Sequence, residues 1–168
     1  APKGHEIKHH QVVLKPNTLK IEREENTNKV NINEEDKLIT LSTEKVKVSL
    51  SKESGLLAQY IVNGENILKE ESRPYFWRAS TNNDRGFKNE VDAVTWRNPK
   101  MNLVNIKIEN YKNIVNLVVD IELDNNSTVT YVYSLDSNSK LKVQQILNPN
   151  RDLAKIPAIS DMFILKEE

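Results

Sequence analysis

Period-two alternation of apolar and polar residues runs through most of this 168-residue chain and restricts it to antiparallel sheet. Val46, Val48 and Leu50 alternate with Lys45, Lys47 and Ser49. Val115, Leu117, Val119, Ile121 and Leu123 alternate with Asn116, Asp120, Glu122 and Asp124, interrupted only by Val118. Thr128 to Tyr133 and Leu141-Lys142-Val143 continue the pattern. Successive side chains of a strand point to opposite faces, so alternation marks strands with one face in a core and the other in water. Turn-forming stretches separate them: Glu53-Ser54-Gly55, Asn63-Gly64, Asp124-Asn125-Asn126 and Asp136 to Ser139. Asn63-Gly64 is the strongest hairpin signal, because both residues tolerate the positive φ that a type I′ turn demands. Sequential hairpins imply an all-β, antiparallel β-sandwich rather than a parallel α/β fold.

Two segments leave that rhythm. Glu22 to Asp36 is polar and charged and reads as a linker; it separates a strand candidate, His5 to Leu14, from the main β region near Lys37. Ala79 to Pro99 is a long connection, expected to contain a helical turn around Asn89 to Trp96 and to be packed down by Phe87 and Trp96. Loops beyond about 12–15 residues are usually functional or disordered.

Composition narrows the functions available. Lys+Arg and Asp+Glu both number 24, so net charge is zero, which gives no electrostatic footprint for nucleic acid or an anionic membrane surface. The absence of cysteine excludes disulfides and thiolate chemistry, and leaves the compartment open, because cytoplasmic and periplasmic proteins can both lack it. The start at Ala1 rather than methionine suggests processing or a piece of something longer. With four glycines in all, phosphate-cradling loops are not expected, and no G-x-S-x-G elbow occurs.

Glycosidic hydrolysis needs two carboxyl groups in different protonation states. Asp120, Glu122 and Asp124 are the tempting set, yet on a strand they share the polar face, where nothing would bury one of them. His5, His9 and His10 are the only histidines, spread along a strand at about 3.3 Å per residue and without further ligands to complete a metal set.

The densest chemistry lies in Tyr75-Phe76-Trp77-Arg78-Ala79-Ser80-Thr81-Asn82-Asn83-Asp84-Arg85-Gly86. In one reading Trp77 or Phe76 offers a flat face to a sugar ring, while Arg78, Asn82, Asn83, Asp84 and Arg85 supply hydrogen bonds. In the other, the aromatics close a strand and anchor the core, and the Asn and Asp side chains brace a loop backbone. Chemistry alone favours the second, since Asx-rich turns are common.

Phe76 to Gly86 resembles the F-W-R-A-P-T-D-N-D-x-G signature of family 2 β-galactosidases. The approach through Ser54-Gly55-Leu56-Leu57 and Asn63 to Leu68, Trp96 after the signature, and Ile156 to Phe163 downstream are similar to the family in the same order. Ala1 to Ile7 resembles the closing strand of the family's immunoglobulin-like linker domain. The resemblance implies that 1–24 ends that domain, 25–36 is a linker, and 37–168 is the first half of a C-terminal, small-chain sandwich similar in fold to galactose mutarotases. It implies no catalytic residue and no metal ligand here, because the family's acid/base and nucleophile glutamates lie in a preceding barrel. Trp77, Arg78, Asn82, Asn83, Asp84 and Arg85 remain the candidate substrate-binding residues, and the resemblance implies partners in the remaining domains or a large subunit, with a galactoside as the sugar. A need for Mg²⁺ and a monovalent cation falls to the parent enzyme, not to this chain. The alternative is a stand-alone carbohydrate-binding or mutarotase-like module. Ser80, Asn82, Ala158 and Ser160 depart from the family's Pro, Asp, Arg and Gly, so a charge-paired loop is not expected to be retained. Half a sandwich leaves open strand edges, and self-association of the isolated chain is expected.

Overall fold

A computed structural model describes residues 29–86, 89–153 and 155–167. The His5 to Leu14 strand candidate, all three histidines, Phe87 and the 1–24 assignment lie outside them. The chain forms strands β1 (Asn31–Glu34), β2 (Leu38–Ser42), β3 (Val46–Ser51), β4 (Leu57–Val62), β5 (Glu65–Asn66) and β6 (Arg73–Tyr75). Two short helices follow, α1 (Asn82–Gly86) and α2 (Asn89–Asp92), then a 3-10 turn at Val94–Trp96. Strands β7 (Met101–Tyr111), β8 (Ile114–Leu123), β9 (Thr128–Asp136), β10 (Leu141–Asn148) and β11 (Ser160–Met162) complete the fold. All pairing between these strands is antiparallel, in a five-stranded sheet ordered β1-β2-β3-β4-β5, a four-stranded sheet ordered β10-β9-β8-β7, and a two-stranded ribbon of β11 and β6. The all-β sandwich read from the sequence is what the chain adopts.

Alternation decides which side chains enter the core. Val115, Leu117, Val119, Ile121 and Leu123 of β8 are buried, as are Val129, Tyr131, Tyr133 and Leu135 of β9. From the first sheet Ile39, Leu41, Val46, Val48, Leu50 and Leu57 join the same cluster, together with Phe76, Ala93 and Trp96. The two sheets touch closely at Gly55, whose φ of +73° is the left-handed region that glycine enters without strain. A Cβ there would lie 2.5 Å from Val119 and 2.7 Å from Leu103. Thr43 and Ser139 join the ends of two hairpins through a 2.7 Å hydroxyl bond.

Asn63 and Gly64, at φ 50° and 90°, make the expected tight turn between β4 and β5. A bulge between Leu103 and Asn105 leaves Val104 outside the β7–β8 register. The helical turn expected around 89–96 is present as α2 and the 3-10 turn, with Trp96 fully buried.

One segment is corrected. Residues 31–34, read as part of the 25–36 linker, form β1 and pair with β2 from Asn31↔Ser42 to Glu34↔Ile39. All four are exposed, so no hydrophobic alternation could announce the strand. Backbone pairing and a 2.8 Å ion pair between Lys52 and Glu34 hold it at the sheet edge.

Candidate functional site

The run from Phe76 to Gly86 leaves the end of β6 and enters α1. Phe76 is 1% exposed and meets Trp96 edge to face, with ring centroids 5.7 Å apart. Such T-shaped pairs are a favoured aromatic geometry. Phe76 is therefore a core residue, and of the two aromatics weighed for sugar stacking only Trp77 reaches the surface, half-buried. One face of Trp77 carries the guanidinium carbon of Arg97, 5.6 Å from the ring centroid.

Arg78 organises the loop. Its two terminal nitrogens donate to both oxygens of Asp84, at 2.7 and 2.9 Å, in the bidentate geometry a planar guanidinium favours. Its Nε donates to the Pro157 carbonyl at 2.8 Å, and Nη1 also reaches the Ala79 carbonyl at 3.2 Å. Asp84 Oδ2 accepts further from the Thr81 amide and hydroxyl, both at 2.7 Å. Thr81 Oγ1 in turn accepts from the Asp84 amide at 3.4 Å. The reciprocal Thr81–Asp84 bonds form a capping box at the start of α1, which explains why the chain turns helical there. The expectation that this copy loses a charge-paired loop is thus corrected. Arg78 and Asp84 supply the pair, and neither of them is among the substituted positions.

All four departures can be located; the Ala158 amide donates to the Phe76 carbonyl at 3.3 Å. Ser160 Oγ donates to the Tyr75 carbonyl at 2.8 Å, bonding the ribbon across β11 and β6. Ser80 lines a shallow depression with Trp77, Arg78, Asp84 and Pro157, whose free space of about 10 Å³ suits a single water. Asn82 and Asn83 are exposed on α1, and Arg85 is exposed beside them. The loop thus brings Arg78 and Asp84 into direct contact with Trp77 alongside, and turns Asn82, Asn83 and Arg85 outward.

Thr81, Arg97 and Pro157 were not singled out from the sequence. The Thr81-x-x-Asp84 spacing carries a capping signal that could have identified the first of them. The Pro157 contribution is a backbone carbonyl, which no side-chain pattern announces.

The acidic set of β8 and the turn after it lies toward solvent. Glu122 and Asp124 are exposed, and Asp120 accepts from Thr130 Oγ1 across the strands at 2.8 Å. Among the described residues no three His, Asp, Glu or Cys side chains converge as a metal set.

Residues 42–168 match the family described as beta galactosidase small chain. The chain is 25% identical to a beta-galactosidase of Priestia megaterium over 98% of its own length and 16% of the relative's. It is 24% identical to a beta-galactosidase of Clostridium acetobutylicum over 100% of this chain and 19% of that one. A third, from Streptococcus thermophilus, is 29% identical over 86% of this chain and 13% of its own length. The chain therefore spans less than a fifth of the curated relatives it matches.

Proposed function

The chain belongs to the beta galactosidase small chain family, and from that premise we propose that it is the non-catalytic sandwich portion of a β-galactosidase-like glycoside hydrolase. In this reading a barrel outside this sequence hydrolyses terminal β-galactosides by acid protonation and carboxylate attack. Any Mg²⁺ or monovalent cation is held by that remainder. The sandwich supplies a rigid wall against which the barrel seats. The observation that carries the reading is the bracing of the signature loop. The Arg78–Asp84 pair and the Arg78–Pro157 bond fix Trp77, Asn82, Asn83 and Arg85 on a frame rather than leaving them on a free loop. Preorganised polar groups on a fixed frame are what a docking wall or a sugar subsite requires.

The test uses an aryl β-galactoside. The chain alone is expected to give no turnover above buffer, and co-expression with the barrel-bearing remainder of its own reading frame should restore it. Turnover by the chain alone would overturn the reading.

A second reading, a carbohydrate-binding or mutarotase-like module, is favoured by the half-buried Trp77 beside exposed Asn82, Asn83 and Arg85. It requires calorimetric binding of galactose or lactose that disappears in Trp77→Ala while far-UV circular dichroism is unchanged.

The isolated chain should also self-associate through the open edges of β7 and β10, where Val104, Tyr111 and Ile146 are exposed. Sedimentation at about 10 μM, within the range where exposed edges associate, should show species heavier than 19.3 kDa; a clean monomer counts against it.

A further inference from the structure

The ribbon of β6 and β11 is the root of the signature loop. β6 runs directly into Phe76, Trp77 and Arg78, and β11 begins three residues after Pro157, whose carbonyl Arg78 holds. In the ribbon Asp161 stands opposite Pro74. Its carboxyl reaches inward to β9, where the Tyr131 hydroxyl donates to Oδ1 at 3.2 Å. Tyr131 is itself fully buried, accepts from Gln145 Nε2 of β10 at 3.1 Å, and stacks on Tyr133 at 5.4 Å. Among the described residues this is the one side-chain hydrogen bond from β11 to the four-stranded sheet.

The other half of the carboxyl is unsupported. Among the described residues Asp161 Oδ2 is buried without a hydrogen-bond partner, while the nearby Tyr133 hydroxyl interacts with Ser72 and with the Leu57 backbone. Buried polar atoms without partners are uncommon and call for an explanation. A neutral carboxyl tolerates such a corner, whereas a carboxylate with one oxygen buried and lacking its own donor or cation is costly. Among the described residues, no cation bonds to this carboxyl. From β9 come Tyr131 and Tyr133, both held protonated by burial, and Glu71 acts on Tyr133 with the same sign as Asp161. Arg73, across the ribbon on β6, donates to the Met162 sulfur at 3.6 Å.

We propose that Asp161 is a proton-operated latch: neutral, it lets the β6–β11 ribbon stay packed on β9, and ionised, its buried and unpartnered Oδ2 draws in water and loosens that ribbon and with it the Arg78–Pro157 brace of the signature loop. The proposal does not depend on the enzyme-portion reading, since it concerns only this chain's own packing. Burial pushes the Asp161 carboxyl up to about 6, against the opposing hydrogen bonds from the Tyr131 hydroxyl and the Met162 backbone. The folded chain therefore holds this proton more tightly than the unfolded one, whose carboxyl titrates near 3.8. Its contribution favours folding below that value, is lost as pH rises toward 6, and stays lost above. A shift of about two units corresponds to about a hundredfold change in the unfolding equilibrium.

Carboxyl-carbon NMR titration of Asp161 in the full chain should give a midpoint near 6, and a midpoint near 4 would overturn the proposal. Amide exchange should show the protection of Arg73, Tyr75 and Ser160 to Met162 falling relative to β8 between pH 5 and pH 7.5. In Asp161→Asn that ratio should stay constant. An unchanged ratio in the native chain rejects the latch even if the midpoint is raised. Tyr131→Phe provides an independent arm: losing the hydrogen bond that favours the carboxylate should move the midpoint further up, and a downward move contradicts the geometry.

Discussion

Strand β8 places Val115, Leu117, Val119, Ile121 and Leu123 in the core while Glu122 faces water. The loop from Trp77 to Arg85 places only Trp77, Ser80 and Asp84 partly out of solvent, and it is held by hydrogen bonds from Arg78 and Thr81. The first region is organised by area removed from water, a non-directional force summed over many side chains. The second is organised by a few directional bonds on one guanidinium and one carboxylate. Damage should therefore spread differently. Loss of a β8 side chain weakens the whole fold, whereas loss of Arg78 releases a segment and leaves the sandwich standing.

The harshest way to break this contrast is Leu117→Ala. The side chain is 0% exposed, and the lost contacts plus the cavity should cost about 2–5 kcal/mol in urea-induced unfolding. A cost under about 1 kcal/mol would mean the core relaxes around the gap and is not the close-packed region described. Next comes Gly55→Ala, which places a methyl 2.5 Å from Val119 and forces an L-residue to φ +73°. The expected loss is about 1–3 kcal/mol, seen as a lowered denaturation midpoint with unchanged slope.

Arg78→Met tests the other region. Its side chain is 42% exposed, so the ion pair is screened, and global stability should fall by no more than about 1 kcal/mol. Limited proteolysis should nevertheless become faster within residues 78–86, while amide protection in β8 and β9 stays as it was. A global loss comparable to Leu117→Ala would erase the distinction between the two regions. Smallest of all, Glu122→Gln on the outer face of β8 should change stability by less than about 0.5 kcal/mol.

The same contrast explains what the sequence revealed. In β8 each residue's face follows from period two, so the core list could be read directly, Val118 included as the outward exception. Asn63-Gly64 was legible because the turn's positive φ values select those residue types. β1 was not, because Ile32 at 37% exposure is its most apolar side chain and four exposed residues carry no burial signal. The β6–β11 ribbon was not either. Its strands are three residues each, and Ser160 finds Tyr75 across 85 positions of chain. Within the site, Arg78 and Asp84 were named as candidates, but their mutual pairing was not foreseen. It depends on how α1 turns back on the loop, and on a Pro157 carbonyl supplied from far downstream. Asp161 went unremarked because a lone acidic residue in a short apolar stretch looks like any surface position until Tyr131 is found beneath it.

Trp77 and Trp96 are the chain's only tryptophans, and they fall on opposite sides of the divide drawn here. Trp96 is sealed against Phe76 with no exposure, while Trp77 lies half-open under Arg97. The molecule thus carries two native fluorophores of different accessibility, one reporting the hydrophobic interior and one reporting the braced loop. Acrylamide should quench the emission of Trp77 and spare that of Trp96. Loop release, whether by pH or by substitution, then becomes an optical signal that needs no attached dye.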